Sequence, residues 1–461
     1  MVVDRLKNID DSVYAMERNG ILVDTEFCRV GAAKAADDIA GEWFNVVKAV
    51  GQEQATAIVG LPPQMSQDGI QGESPKALAQ LLHTEMGLAK SPYWKKGKVK
   101  DDEVKCDAVA LGWLARTYPQ HQPLLLAILA LRKARGCYKY LNKLPGFVNP
   151  TTGRVHPIFG AASADDDRVG AVTGRLAVKL PELQQIPKDK RKDKYRIRKA
   201  FSAAPGNVII EADYTALEVV ILAHICQALF QSDDLAKAIQ PGAPDIHGVH
   251  ALAVYRDFMK VPGFDGVTPD NLKQSAMAQY RDDLKTVWYG LQYGKGAYGF
   301  GYSMFDERGV AIGEERAGLL VEGLLSFRPA IRDYQQFVRE FILRHRGIPS
   351  LLGRWSDLSD LVPGKEWAEN RAWRKALNFP MQAGGADIVG LAMGRLAGSE
   401  ALRRLGFRMI LQVHDALMFE GPESAAEEAK ALISLEMTRD MPLSVPLQAP
   451  AHHGLTWEDC H

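Results

Sequence analysis

An α+β fold is expected of this chain. Its first third is patterned almost wholly as helix, a buried strand near the middle runs straight into a helix, and a tight hairpin lies close to the C-terminus. Apolar residues recur at three- and four-residue spacing through "DTEFCRVGAAKAADDIAGEWFNVVKAV" and "HQPLLLAILALRKARGCYKYLNKL". "GNVIIEADYTALEVVILAHI" packs a strand, Val208 to Ala212, against the start of a helix, with Asp213 at the junction. "LQVHDALMFE" sets His414 and Asp415 between two short apolar runs, as the tip of a hairpin would.

In chain order, "DSVYAMERNGILVD" reads as a helix ending at Gly20 and followed by a short strand. "ESPKALAQLLHTEMG" opens on Ser74-Pro75 and stops at Gly87, the usual punctuation of a helix. "SPYWKKGKVKDDEVK" is a basic loop, and "NPTTGRVHP" breaks the helical pattern, so that a second region starts near Phe147. "NLKQSAMAQYRDDLKTVWYGLQYGKGAYGFG" is expected as one helix ending in a glycine series, and "RAWRKALNFPMQAGGADIVGLAMGRLA" as a helix interrupted at Pro380. There is no internal repeat and no low-complexity segment.

Composition narrows the classes further. With 461 residues, about three compact units are expected. The 46% hydrophobic and 24% charged content is that of a water-soluble globular chain. No apolar run is long enough to span a bilayer, and the charged "MVVDRLKNIDD" is no secretory signal. The five cysteines are scattered without Cys-x-x-Cys spacing, which suits a reducing compartment and argues against structural zinc. Formal net charge is zero, yet Lys188 to Lys199 carries eight basic residues against two acidic ones. Such a run is either a solvated face or a track for phosphates.

Two features point to chemistry. Asp213 and Asp415 each lie where a buried strand ends, some two hundred residues apart in sequence. Alone, each is as well explained as a cap or turn residue. At adjacent strand ends of one sheet they would suit a pair of hard cations, which prefer oxygen ligands and assist in-line phosphoryl displacement. Arg281, Lys285, Tyr289 and Tyr293 recur at every fourth residue and so share one drifting helix face. From Arg281 to Tyr289 that stripe is roughly 12 Å long. Cations followed by aromatics suit a ligand anionic at one end and flat at the other; an amphipathic helix with its tyrosines in the core remains the alternative. Gly290 and Gly294 each follow a tyrosine, at about 1 kcal/mol apiece in a helix, which fits close approach of something flat.

At these residues the chain resembles family A DNA polymerases. "ADYTALE" looks like that family's first palm motif, "RDDLKTVWYGLQYG" like its fingers helix, and "QVHDA" like its third motif. "TGRLAVKLPELQQIP", "NFPMQAGGADI" and "NPTTGRVHP" are similar to further family segments, and so is the closing "VPLQAPAHHGLTWEDCH". All occur in the family's order. The resemblance implies a right-hand polymerase fold with an antiparallel-sheet palm and mostly helical thumb and fingers. The thumb is then expected at residues 1–145, the palm at 146–232 and 346–461, and the fingers at 233–345.

The resemblance also implies an activity, template-directed extension of a primer 3′-hydroxyl with deoxynucleoside triphosphates by two-metal transfer. Two Mg²⁺ ions, with Mn²⁺ as a substitute, would be held by Asp213, Asp415 and the carbonyl of Tyr214. Arg281, Lys285 and His247 would bind the triphosphate, and Lys285 would donate a proton to the leaving pyrophosphate. Tyr289 would stack near the base and sugar, with ready acceptance of dideoxynucleotides. Glu218 would block a 2′-hydroxyl, and Tyr293 would pack by the templating base. Arg175, Gln184, Arg374, Asn378, Gln382 and His414 would touch primer-template, mostly from the minor groove, where the acceptor pattern is nearly independent of sequence.

The expected partners are primer-template DNA and deoxynucleotides, for a monomer in a bacterial or phage-infected cytoplasm. A proofreading exonuclease domain is not expected in this chain, because the thumb-like helix begins within a dozen residues of Met1. Separate exonuclease or replication proteins are further partners that the resemblance allows. The loop "LAKSPYWKKGKVKDD" is too short for the thumb insertion by which some phage members recruit a processivity partner. Departures from the family pattern are Ala416 for a usual Glu, Ala216 for Gln, Val219 for Arg and Glu182 for Asn. Two other readings stay open. Glu218 speaks against a single-subunit RNA polymerase. Ala416 is the one feature favouring a relic that clamps primer ends without extending them.

Overall fold

The computed structural model describes residues 2–65, 73–90, 106–160, 173–188, 193–308 and 312–460. The first three stretches open with α1 (Val2–Asn19), β1 (Ile21–Val23), α2 (Thr25–Val50), α3 (Gln52–Val59), α4 (Pro75–Ala79), α5 (Ala108–Thr117) and α6 (Gln122–Lys143). Helix starts are fixed by side-chain caps, as short acceptors satisfy otherwise unpaired amides. Asp24 accepts from the Phe27 amide, Ser74 from Ala77 and Asp107 from Ala110. α2 packs along α6, and Ile39, Trp43 and Val46 join Leu124, Ile128 and Leu131 in a core of their own with α3 to α5.

Then come β2 (Arg154–Val155), β3 (Ile158–Gly160), β4 (Ala177–Lys179), β5 (Phe201–Ser202), β6 (Asn207–Asp213), α7 (Leu217–Phe230), α8 (Asp234–Ala238) and α9 (Ile246–Ala251). A helical layer follows: α10 (Ala278–Gln292), α11 (Ala297–Arg308), α12 (Glu314–Phe327) and α13 (Pro329–His345). The chain closes with β7 (Gly347–Pro349), β8 (Trp355–Asp357), α14 (Glu366–Gly398), α15 (Glu400–Arg404), β9 (Arg408–Val413), β10 (Ala416–Pro422), α16 (Ala426–Thr438) and β11 (Ala451–Gly454).

The main sheet is antiparallel, in the order β11-β6-β10-β9. Its register sets Ala416 opposite Asp213 and Leu417 opposite Ala212. The β9–β10 connection is only His414-Asp415, with His414 at φ +55°. The strand-to-helix junction at Asp213 and the hairpin tip therefore emerge side by side at one sheet edge.

Three sequence expectations change. The segment after Asn271 is two helices rather than one, because the turn at Tyr293–Gly296, with Gly294 at φ +64°, ends α10 before α11 begins. The flat group approaching Gly290 is the ring of Phe300, and Gly294 lies against Leu377, Trp373 and Arg374; both glycines serve internal packing. α14 runs unbroken through Pro380. An internal proline costs ~3 kcal/mol, but burial of α14 among α1, α7, α13 and α16 outweighs that.

In the basic run 188–199 the described residues divide: Lys188, Lys194 and Lys199 are exposed, as on a solvated face, whereas Arg198 is buried. Residues 189–192 lie outside the described residues. Of the others, Lys194 pairs with Asp38 at 2.7 Å, Arg196 with Glu458, and Arg198 is buried over the Trp457 ring at 4.1 Å. Most of the basic loop at 88–102 also lies outside the described residues.

Candidate active site

The functional side chains gather into two clusters joined by α10. The first forms at the sheet edge. Asp213 ends β6 opposite Ala416, and Asp415 sits in the two-residue turn immediately before Ala416. The Asp213 side chain is 45% exposed and that of Asp415 25%. Burial pushes the Asp415 carboxyl up to about 6; Arg175 opposes the shift, while the charges of Glu218 and Asp213 add to it.

Each carboxylate has a protein cation beside it. Lys188 Nζ lies 3.5 Å from Asp213 and 3.8 Å from Glu211, a buried carboxylate two residues earlier on the same strand face. Arg175 lies 3.5 Å from Asp415 and donates to Glu218 at 2.9 Å. The other Glu218 oxygen accepts from the Tyr293 hydroxyl, and burial together with the Glu218 charge raises the Tyr293 phenol. Gln184 braces the hairpin by donating to the Gln412 side chain at 3.1 Å, while Gln412 donates to the His414 carbonyl. The His414 side chain is exposed, and partial burial lowers its imidazole.

The second cluster lies toward the start of α10. Asp245, the N-cap of α9, holds Arg281 through two bonds of 2.5 and 2.9 Å. The His247 ring is 5.7 Å from that of Tyr289. Burial brings His247 down to about 4, against the opposing pull of Asp245, so the ring is neutral at pH 7. Lys285 is exposed and Tyr289 is 39% exposed, whereas Leu284, Val287, Trp288 and Leu291 on the opposite side are buried. The stripe therefore faces outward, and the core-facing alternative for Tyr289 fails.

Arg374, Asn378 and Gln382 recur at every fourth residue of α14. Arg374 is exposed, the other two are half-buried, and Asn378 donates to the Arg374 carbonyl at 2.8 Å. No hydrogen bond among the described residues ties this line to the carboxylates. The Tyr214 hydroxyl points away into the core, donating to Met437 at 2.5 Å, so only its backbone is left to serve the site.

Sequence reasoning missed Asp245, Gln412 and Lys188 as members of these clusters. Gln412 stood inside the hairpin stretch already singled out and Asp245 two residues before His247; what was missing was the fold that closes them on their partners. The oxygen donors of Asp213, Asp415 and the Tyr214 carbonyl fit hard divalent ions, which commonly take one or two carboxylates and complete their shell with water and phosphate. That each carboxylate draws a protein cation to itself shows a site that favours positive charge. Among the described residues no group of three His, Cys, Asp or Glu side chains is placed to hold a metal.

A family model for DNA polymerase family A matches residues 52–459. The chain belongs to DNA polymerase family A. It is 31% identical over 448 residues to DNA polymerase I of Deinococcus radiodurans, covering 96% of this chain and 40% of that protein. It is 32% identical over 318 residues to the thermostable DNA polymerase I of Thermus thermophilus, covering 69% of this chain and 34% of that one. The chain thus spans less than half the length of these relatives. Among solved structures, the POL domain of Pol1 from M. smegmatis, in complex with DNA primer-template and dNTP, superposes with a TM-score of 0.80 at 28% identity. That match covers 98% of this chain and 70% of the other, and the right-hand polymerase fold is the fold of this family A chain. No helix among the described residues is long and apolar enough to cross a membrane.

Proposed function

We propose that this chain is a template-directed DNA polymerase domain that extends a primer 3′-hydroxyl with deoxynucleoside triphosphates. The carrying observation is the pairing of Asp213 with Ala416, which brings two carboxylates to one sheet edge, where Arg175 and Glu218 link Asp415 to Tyr293 at the end of α10. The thumb is assigned to residues 1–145, the palm to 146–232 and 346–461, and the fingers to 233–345.

Asp213, Asp415 and the Tyr214 carbonyl would hold two Mg²⁺ ions. Bound there, the ions would supply Lewis-acid charge for the attacking hydroxyl and the triphosphate. Arg281 and Lys285 would bind the triphosphate, with His247 donating as a neutral ring. Lys285 would give a proton to the departing pyrophosphate. Tyr289 would lie against base and sugar, Tyr293 would pack by the templating base, and Glu218 would stand where a 2′-hydroxyl would project. Arg175, Gln184, Arg374, Asn378, Gln382 and His414 would line the minor groove of the new pair. Most of the acceleration would come from positioning and fixed charge, with selectivity from closure of α10 on a correct pair.

Primer extension with Mg²⁺ tests this reading, on an undamaged template and on one with an abasic site, with matched and mismatched primer ends. Extension of the matched primer is expected. A chain that binds primed DNA but adds no nucleotide would instead be the relic that Ala416 allows.

A further inference from the structure

We infer that Arg354 is a positioning residue that fixes the Thr173–Gly174–Arg175 segment, and through it the Arg175 guanidinium against Glu218 and Asp415. This rests on the polymerase reading above. Arg354 lies at the entry to β8, outside every motif that marked the site. Its Nη2 donates to the Thr173 carbonyl at 2.8 Å and to the Ala383 carbonyl of α14 at 2.9 Å. Its Nε donates to Asp387 at 3.0 Å.

Asp387 is fully buried and also accepts from Ser350 Oγ at 2.8 Å and the Leu352 amide at 3.2 Å. A buried carboxylate so bonded holds its cation in one place, because losing the partner leaves an uncompensated charge. Gly174 is at φ +75°, and a Cβ there would fall inside contact distance of the Arg354 guanidinium. The fork therefore passes under the one residue that lets it through, and the next residue is Arg175. One guanidinium stitches together the segment before β4, helix α14 and the β7–β8 turn. Lysine keeps the charge but cannot reproduce the fork.

The test is a cycle of Arg354→Ala, Arg175→Ala and the double variant, with Arg354→Lys alongside. It is read by primer-extension kinetics and by hydrogen exchange of peptides covering 173–176 in the DNA-free protein. If Arg354 acts through Arg175, Arg354→Ala lowers kcat roughly a hundredfold, the scale of an ångström-sized misplacement. The dNTP KM, set at α10, then moves by no more than about threefold. The double variant falls no further than the worse single, Arg354→Lys loses less than Arg354→Ala, and exchange at 173–176 quickens in Arg354→Ala. Losses that multiply in the double variant, or unchanged exchange at 173–176, overturn the inference. Should Arg354→Ala fail to fold, Arg354→Lys takes its place in the cycle with the same two criteria. A wild-type chain that extends no primer defeats the polymerase reading instead, and the exchange result still decides whether Arg354 holds the segment.

Discussion

The Tyr293 hydroxyl donates to one carboxylate oxygen of Glu218, and Arg175 donates to the other. Glu218 stands in the first turn of α7, five residues after Asp213, with both oxygens engaged and its side chain braced from two elements. A carboxylate so fixed excludes by shape. Glu218→Ala is expected to raise ribonucleotide incorporation relative to deoxynucleotide by roughly ten- to a hundredfold, the range available to a pocket that gains or loses a small group. Single-nucleotide insertion with paired ribo- and deoxynucleotides measures it, and unchanged sugar selectivity would remove Glu218 from this role.

The Asp213–Ala416 register brings Asp415 to the same edge with two different protein cations nearby. Asp415→Asn keeps the size and removes the charge. Primer extension in Mg²⁺ is expected to fall by roughly a hundred- to a thousandfold, as for the loss of several kcal/mol of charge stabilisation. Primer-template affinity, measured by fluorescence anisotropy, should stay close to wild type. Equal loss of both would count against a metal role.

His247 is held at about 4 by burial and is neutral through the physiological range. Any help it gives a triphosphate is a neutral hydrogen bond worth about 1 kcal/mol. His247→Ala is expected to raise the dNTP KM by about fivefold, and the ratio of variant to wild-type KM should be flat between pH 6 and 8. A ratio that falls toward one as pH rises through 7 would mean the ring is charged in the complex.

The two places where chemistry concentrates were legible because both are local. A short alternating stretch before His414-Asp415 and an apolar run after it mark the hairpin, and the strand meeting a helix marks the Asp213 junction. The four-residue spacing from Arg281 to Tyr289 needed only helix geometry, whereas Tyr293 falls in the turn that ends α10. What the residues did not carry was pairing at long range. Lys194 finds Asp38 and Arg196 finds Glu458, 156 and 262 residues away, so part of a run that reads as a phosphate track is engaged by the protein's own carboxylates. Gly290 looked like a ligand's clearance because the Phe300 ring that fills it comes from the next helix. Asp245 is 36 residues before Arg281, and only the fold brings the α9 cap onto α10.

Glu420 gives the fold an acid limit. Its side chain is 1% exposed and accepts from Arg154 at 2.8 Å, the Ala204 amide at 2.8 Å and Arg408 at 3.0 Å. Burial alone would raise its carboxyl, but these donors outweigh it and hold the group at about 2, below the ordinary 4.5. A depressed carboxylate stabilises the fold above its unfolded value and loses that contribution as pH falls toward its folded value. The window is therefore about 4.5 down to 2, and the contribution at neutral pH is about 3 kcal/mol. Glu420→Gln should cost about that much at pH 7, and the gap from wild type should close across the window. Urea unfolding at a series of pH values measures it; a gap constant down to pH 2 would contradict the assignment.

The pair of Arg281 with Asp245 sets a competition on the proposed triphosphate site. With its guanidinium engaged at 2.5 and 2.9 Å, Arg281 must exchange one anion for another when a nucleotide arrives. Asp245 also caps α9 by accepting from the Gly248 amide at 2.9 Å. Asparagine caps about as well as aspartate, so Asp245→Asn removes the competing charge and keeps the helix. If the pair is a resting state, the variant should bind nucleotide about two- to fivefold more tightly, the scale of a partly exposed ion pair. If Asp245 instead aims Arg281 at the phosphates, the same variant should bind more weakly. Arg281→Ala separates these from an indirect effect: it should weaken binding in either case and make the Asp245 substitution silent. Nucleotide titration of the protein on a primer ended in a dideoxynucleotide reads affinity without turnover, and the sign of the Asp245→Asn change decides between competition and aim.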